Sequence, residues 1–277
     1  GVQMLKKLIK HEFKATAKTM GLLFGAVLLL SVLTSISLKL PEGNKFFDTI
    51  KAVLIAVYVV VMFGMMFAGI LLLIFRFYNN MLKDQGYLTH TLPVKMWQHI
   101  VAKVITYFVW IVAAVVVAVV SLGIFLMGTG VVNFSQIGEV MSEIGASLEQ
   151  YPQIITILLW ILVLGIVQIF ANILCLFASM SMGQLFGKHR VAGSVASYIG
   201  LNYIIGIFTS FIMYLPMNSF EGQINALDEA TNIPDMIQIF QNMLNGFFAI
   251  TLVVDIVLIA LYFGITHFML TRKLNLE

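Results

Sequence analysis

One cysteine, five prolines and a charged fraction of only 10% are the scarcities of this 277-residue chain, and each removes a class of function. Cys175 lies inside an apolar run, which leaves no internal disulfide and no cysteine-based zinc site. A soluble domain carries about 25% charged and about 45–50% apolar residues, whereas 60% of this chain is hydrophobic. The net charge of +3 comes from short basic stretches between apolar runs rather than from a basic stripe, so no nucleic-acid partner is expected. A phosphate-binding loop is missing as well. The nearest stretch, "GQLFGKHR" from Gly183 to Arg190, is one residue short and has His189 where the magnesium-binding hydroxyl belongs. "HEFKA" at His11 lacks the second histidine of a zinc helix, and "GSVAS" at Gly193 lacks the flanking glycine of a nucleophile elbow. The five histidines, His11, His90, His99, His189 and His267, are dispersed and read as interfacial polar residues. Met62, Met65 and Met66 have no cysteine or histidine beside them and read as packing residues rather than a copper site. The chain is therefore expected to be no enzyme and to bind no metal or cofactor of its own. No small-residue cleavage site follows an apolar core near the start, so no removable signal peptide is expected.

What the chain does have is long apolar runs. Residues 19–38, 52–75, 104–138, 150–187 and 191–220 contain no Asp, Glu, Lys or Arg, and 236–271 is broken only by Asp255. A spanning helix needs about 20 apolar residues. The pattern predicts an all-α integral membrane protein forming a single domain over 1–277, with six transmembrane helices near 20–38, 51–76, 98–127, 153–183, 192–215 and 245–270. Ahead of them, Leu5, Leu8, Ile9 and Phe13 recur at helical spacing among five lysines, which predicts an amphipathic interfacial helix over 4–18. The outer segment 216–244 is too long for a tight turn and is expected to carry short helices, with 235–244 lying on or dipping into the outer leaflet.

Orientation follows from the basic residues. Lys6, Lys7, Lys10, Lys14, Lys18, Arg76, Lys83, Lys95, Lys103, Lys188, Arg190, Arg272 and Lys273 fall on one side, and only Lys39, Lys45 and Lys51 on the other. The first side is expected to be cytoplasmic and to hold both termini.

Within the spans, polar residues offer two readings. Ser194, Tyr198, Asn202, Gly206, Ser210 and Tyr214 follow one another at intervals of four, a stripe that drifts about 40° per step around a helix. Such a stripe marks either helix packing, the favoured reading, or a substrate pathway. Gln168 and Asn172 on the fourth span invite the same alternatives. Asp255 is an intramembrane carboxylate, which costs about 2.5–3.5 kcal/mol on insertion scales. It is read as structural, paired with Lys51 or another outer lysine or reaching interfacial water, with proton coupling as the rival role.

The segment "KDQGYLTHTLPVKMWQHIVAK", residues 83–103, is more elaborate than a connection between two spans requires. Gly86 permits a sharp change of direction, Pro93 presets a helix-starting geometry and Thr91 is placed to cap the next helix. Tyr87, Leu88 and Leu92 leave an apolar patch that needs a partner. Asp84, Gly86, Tyr87, Leu88, Leu92, Pro93, Val94 and Lys103, together with the six-helix layout, resemble the permease subunits of type-2 ABC exporters, in particular the short permeases of Gram-positive bacteria associated with peptide export or immunity. The run before the glycine, "FYNNMLKDQ", departs from the Arg/Glu-rich run that the family often carries.

The resemblance implies that residues 83–93, with Asp84, Gln85, Gly86, Tyr87, Leu88, Thr89, His90, Thr91, Leu92 and Pro93 at their centre, are the coupling helix docked in a groove of a separate ATPase. It implies that Gly187, Lys188, His189 and Arg190 make a second contact with that subunit. ATP and Mg would be held by the partner ATPase alone. It further implies a second copy or a homologous permease as partner, a location in the bacterial plasma membrane, and export of an amphipathic peptide, either a toxin or an antimicrobial. The alternatives are a proton-coupled carrier using Asp255 and a non-transporting immunity or scaffold protein.

Overall fold

In a computed structural model, residues 2–41, 43–83, 94–131, 134–150, 152–229 and 232–272 are described, and their regular elements are all helical. The helices are α1 (Val2–Leu38), α2 (Lys45–Phe77, continued by a π-helical turn Tyr78–Leu82), α3 (Met96–Thr129), α4 (Phe134–Gln150), α5 (Pro152–Gly183), α6 (Arg190–Tyr214), α7 (Met217–Glu229) and α8 (Ile233–Arg272). Among the described residues, five continuous segments are long and apolar enough to cross a membrane: Gln3–Leu38, Lys45–Leu82, Met96–Thr129, Pro152–Tyr214 and Asp235–Arg272. The 63-residue fourth segment is two helices, α5 and α6, joined by a 3-10 turn (Gln184–His189) in which Phe186 and Gly187 leave helical geometry.

Large apolar side chains point outward all along these helices, including Leu22, Val60, Phe67, Val119, Ile199 and Phe211, while Ser31, Thr34, Thr106, Ser121 and Thr266 are buried. That distribution suits lipid as the surrounding solvent. Several of the buried hydroxyls return to their own backbone, as Thr106 does to Ala102 O at 2.9 Å and Thr266 to Tyr262 O at 2.8 Å, which satisfies those donors in an apolar medium. The chain is a helical membrane protein.

Local signals fix the element ends. Asn44 is extended and its Oδ1 accepts from Phe46 N at 3.0 Å, opening α2. Gly130, at φ +75°, closes α3 with a left-handed cap that a side chain would strain. α3 opens at Met96 with Lys95 extended at its N-cap and no side-chain bond there. Its first turn thus begins beyond Pro93, and Thr91, expected as the cap, lies outside the described residues.

Two expected boundaries differ. Segments 4–18 and 20–38, expected as an interfacial helix and a span, join without a break in the 37-residue α1. No glycine or proline interrupts 5–20, and one side chain of each succeeding turn can face the same neighbours. Likewise 235–244, expected as a separate outer element, is the opening of the 40-residue α8. Asn232 caps that helix by accepting from Asp235 N at 2.9 Å. Among the described residues of the expected outer segment, α7 alone is a separate helix. The amphipathic α4 was not foreseen.

The chain divides into two compact units, Gly1–Asn80 with Leu88–Gly145 and Met81–Tyr87 with Ala146–Glu277. In the first, α1 is central: α2 runs antiparallel to it and α3 parallel, with most of their packing against α1. Val27, Tyr58 and Met65 form a buried cluster, joined by Phe125, which stacks on Tyr58 at 5.4 Å between centroids. Tyr58 Oη and Ser121 Oγ are hydrogen-bonded at 3.1 Å, linking α2 and α3. In the second unit α5 is central, α6 packs antiparallel and α8 parallel to it, while α6 and α8 scarcely touch. Trp160 Nε1 donates to Asn245 Oδ1 at 3.0 Å near the starts of α5 and α8.

Candidate functional site

At the end of the first unit where α1 starts, α2 finishes and α3 starts, three charges converge. Glu12 Oε2 accepts from Arg76 Nε at 2.8 Å and Oε1 from Lys103 Nζ at 2.7 Å. Only 2% of the Lys103 side chain and 12% of that of Glu12 are exposed. One turn further along α1, Thr16 accepts a hydrogen bond from Trp110 Nε1 at 2.9 Å and donates to Glu12 O at 2.8 Å. The Trp110 ring also lies 5.7 Å from Phe13 and 5.9 Å from Phe24. The carboxylate therefore ties the last turn of α2 and the opening turns of α3 to one point on α1. Arg76 and Lys103 stand on the helices that flank the expected coupling segment. Residues 84–93 of that segment, from Asp84 to Pro93, lie outside the described residues.

The other expected ATPase contact is described. Gly187, with φ +52° and ψ −111°, reverses the chain inside the 3-10 turn, and Arg190 Nε donates to its carbonyl at 3.3 Å. Lys188 and His189 are exposed at the turn. The turn is tight because a Cβ at Gly183 would run into Ser194 and one at Gly193 would lie 2.5 Å from the Phe186 ring. A sharp, sterically fixed corner presenting basic side chains is the result.

The second unit holds a cavity of about 490 Å³ between α5, α6 and α8, apolar over much of its lining but studded with polar side chains. It gathers Gln168 and Asn172 of α5, Asn202, Gly206 and Ser210 of α6, and Asp255 of α8. Asp255 is 5% exposed. With the Gln168 amide turned so that its nitrogen faces the carboxylate, Nε2 donates to Oδ1 at 3.1 Å and to Oδ2 at 2.8 Å. Among the described residues no cation lies within 4.0 Å of Asp255, and Lys51, offered by the sequence as its partner, lies 4.0 Å from Asp48 of its own helix. Asn172 and Asn202 satisfy their amides locally, on Gln168 O at 2.9 Å and Tyr198 O at 2.8 Å. Asn202 also reaches Cys175 Sγ at 3.7 Å.

The four-residue stripe of α6 does not act as one face. Ser194 packs against α5, donating to Arg190 O at 2.9 Å beside Met180 O. Asn202, Gly206 and Ser210 line the cavity, whereas Tyr198 and Tyr214 point outward, 39% and 67% exposed. This is the drift expected of a strict four-residue repeat on a 3.6-residue helix. Glu12 is the residue that sequence reasoning missed. Its only signal was an acidic residue among five lysines, which a search for metal motifs passed over. Comparison with protein-family models, curated proteins and solved structures finds no match.

Proposed function

We propose that the chain is the transmembrane subunit of an ATP-driven exporter in a bacterial plasma membrane, crossing six times with α5 and α6 as separate spans and both termini in the cytoplasm. Residues 84–93 dock on a separate ATPase subunit that holds ATP and Mg, and the corner at Gly187–Arg190 makes the second contact. The observation that carries the reading is the Glu12 junction. A segment that receives a stroke needs its two flanking helices fixed to the body they must move, and Arg76 and Lys103 fasten both to α1 through one buried carboxylate. Charge-assisted hydrogen bonds of this length resist bending better than a polar loop would. The sequence of the 84–94 segment and the basic side it lies on support the same assignment. The cargo is an amphipathic molecule, with a peptide as the first choice, and a second copy or a relative completes the pathway.

Leu88→Asp puts a charge into an apolar contact, where an unpaired carboxylate is strongly disfavoured. It is expected to abolish co-purification of the ATPase and ATP-driven flux in liposomes while leaving membrane insertion unchanged. Pro93→Gly is expected to keep ATP hydrolysis but deliver less export. Full association and flux in Leu88→Asp would remove the segment from the coupling role.

Topology has its own check. In a Cys175→Ser background, a cysteine at position 188 is expected to react with an impermeant maleimide from the cytoplasm and one at position 143 from outside. Both native residues are exposed, so reactivity reports sidedness. Labelling of position 143 from the cytoplasm alone would invert the arrangement.

A further inference from the structure

The cavity of the second unit adjoins a second, apolar space. Ile205, Thr209, Val254 and Leu258 line the cavity and also line this adjoining cleft of about 590 Å³, whose other walls include Phe208, Ile212, Val253 and Val257. Because α6 and α8 both pack on α5 but scarcely on each other, the two spaces lie side by side between them, with these four residues at their junction. Their floor, on the α5 side, carries Gln168, Asn172 and Asp255. Their mouth, where α5 contributes no residue, is walled by aliphatic and aromatic side chains.

The floor has an unmet charge. Gln168 gives Asp255 two hydrogen bonds but no countercharge, and among the described residues no lysine, arginine or histidine is within 4.0 Å. A carboxylate in a membrane-embedded opening calls for a cation, and the cavity leaves room for one to arrive. We propose that this opening binds a cationic amphiphile, with an ammonium or guanidinium head on Asp255 and an apolar body lying along Phe208, Ile212, Val253 and Val257. The side-chain oxygens of Asn172 and Ser210 can accept from the head, and the apolar mouth accepts any chain of suitable width, so the site selects for charge more than for shape. The assignment deepens the exporter reading by giving its cargo class, and it rests on that reading only for transport. Binding itself requires no ATPase.

The test uses the full chain in phosphatidylcholine nanodiscs and two photoreactive probes, a dodecylamine and a dodecanol with the same diazirine in the alkyl chain. Peptide mass spectrometry locates the adducts. The amine is expected to label segments 205–212 and 250–258, and to do so at roughly ten-fold lower concentration than the alcohol, a factor equal to about 1.4 kcal/mol. Asp255→Asn should bring the amine down to the level of the alcohol while alcohol labelling persists, which shows that the variant is folded. Thr209→Trp, which fills the junction of the two spaces, should reduce both probes. Should Asp255→Asn lose both probes through misfolding, Asn172→Asp decides, since a second carboxylate on the floor must raise amine labelling relative to alcohol. Equal labelling by the two probes in the unaltered chain, no rise in Asn172→Asp, or adducts excluded because a second copy's helix fills the cleft would each overturn the proposal. Failure here with intact ATPase association leaves the exporter reading standing, and success without association removes the exporter reading alone.

Discussion

Glu12→Leu is expected to lower the stability of the chain by about 3–5 kcal/mol, the cost of removing one partner from a buried ion pair. Two cations share that carboxylate, at 2.8 Å and 2.7 Å, and its loss would leave both facing each other with Lys103 only 2% exposed. Lys103→Met is expected to be milder, because the remaining Glu12–Arg76 pair is neutral and Arg76, with 20% of its side chain exposed, keeps some contact with water. The double variant Glu12→Leu/Lys103→Met should recover part of the loss of Glu12→Leu, since one stranded charge is gone. The fraction of protein remaining monodisperse after graded heating in detergent gives the order of the four chains. If Glu12→Leu tracks the unaltered protein, the junction contributes no stability. If the double variant is worse than both singles, the two residues act independently.

Gly128→Leu is expected to separate α1 from α3 at the opposite end of the first unit. Gly128 is buried, and a Cβ there would lie 2.5 Å from Ser35 Cα and 2.8 Å from Ser35 O, contacts with rigid backbone rather than with a side chain that can turn away. Overpacking in a tight core costs about 1–3 kcal/mol, and relief here requires moving a whole helix. The same substitution at Gly123, whose Cβ would meet nothing within 4 Å, is the control in the same graded heating.

Much of the helix pattern was written in the distribution of charge. The charge-free run ending at Leu38 stops with α1, where Lys39 leaves the apolar phase, whereas the runs ending at Gly187 and Phe220 overshoot α5 and α6 by four and six residues, because the chain leaves helical geometry near Gly187 and Pro216 before charge returns. The starts of α1 and α8 were less legible. Helical propensity continues through Lys6–Lys18 and Asp235–Asn245, so composition changes there while the backbone does not. The cavity was half legible: Gln168, Asn172, Asn202, Gly206, Ser210 and Asp255 stood out as polar residues in apolar runs, and the structure gathers all six. That Tyr198 and Tyr214 would turn away was implicit in the drift of the stripe. The Glu12 junction was opaque because its members are 64 and 91 residues apart, and spacing along one chain carries no information about a meeting between helices. The division into two units was equally invisible, since it depends on which helix each one chooses as its neighbour.

The spacing of that junction also sets an order of events during synthesis. Glu12 leaves the ribosome 64 residues before Arg76 and 91 before Lys103. At about 5–20 residues per second, the carboxylate waits several seconds for its first counterion and longer for its second. Arg76 becomes available to the carboxylate first and Lys103 second, so the tie to α2 can form before the tie to α3. All residues of the first unit have then been made by residue 145, before most of the second.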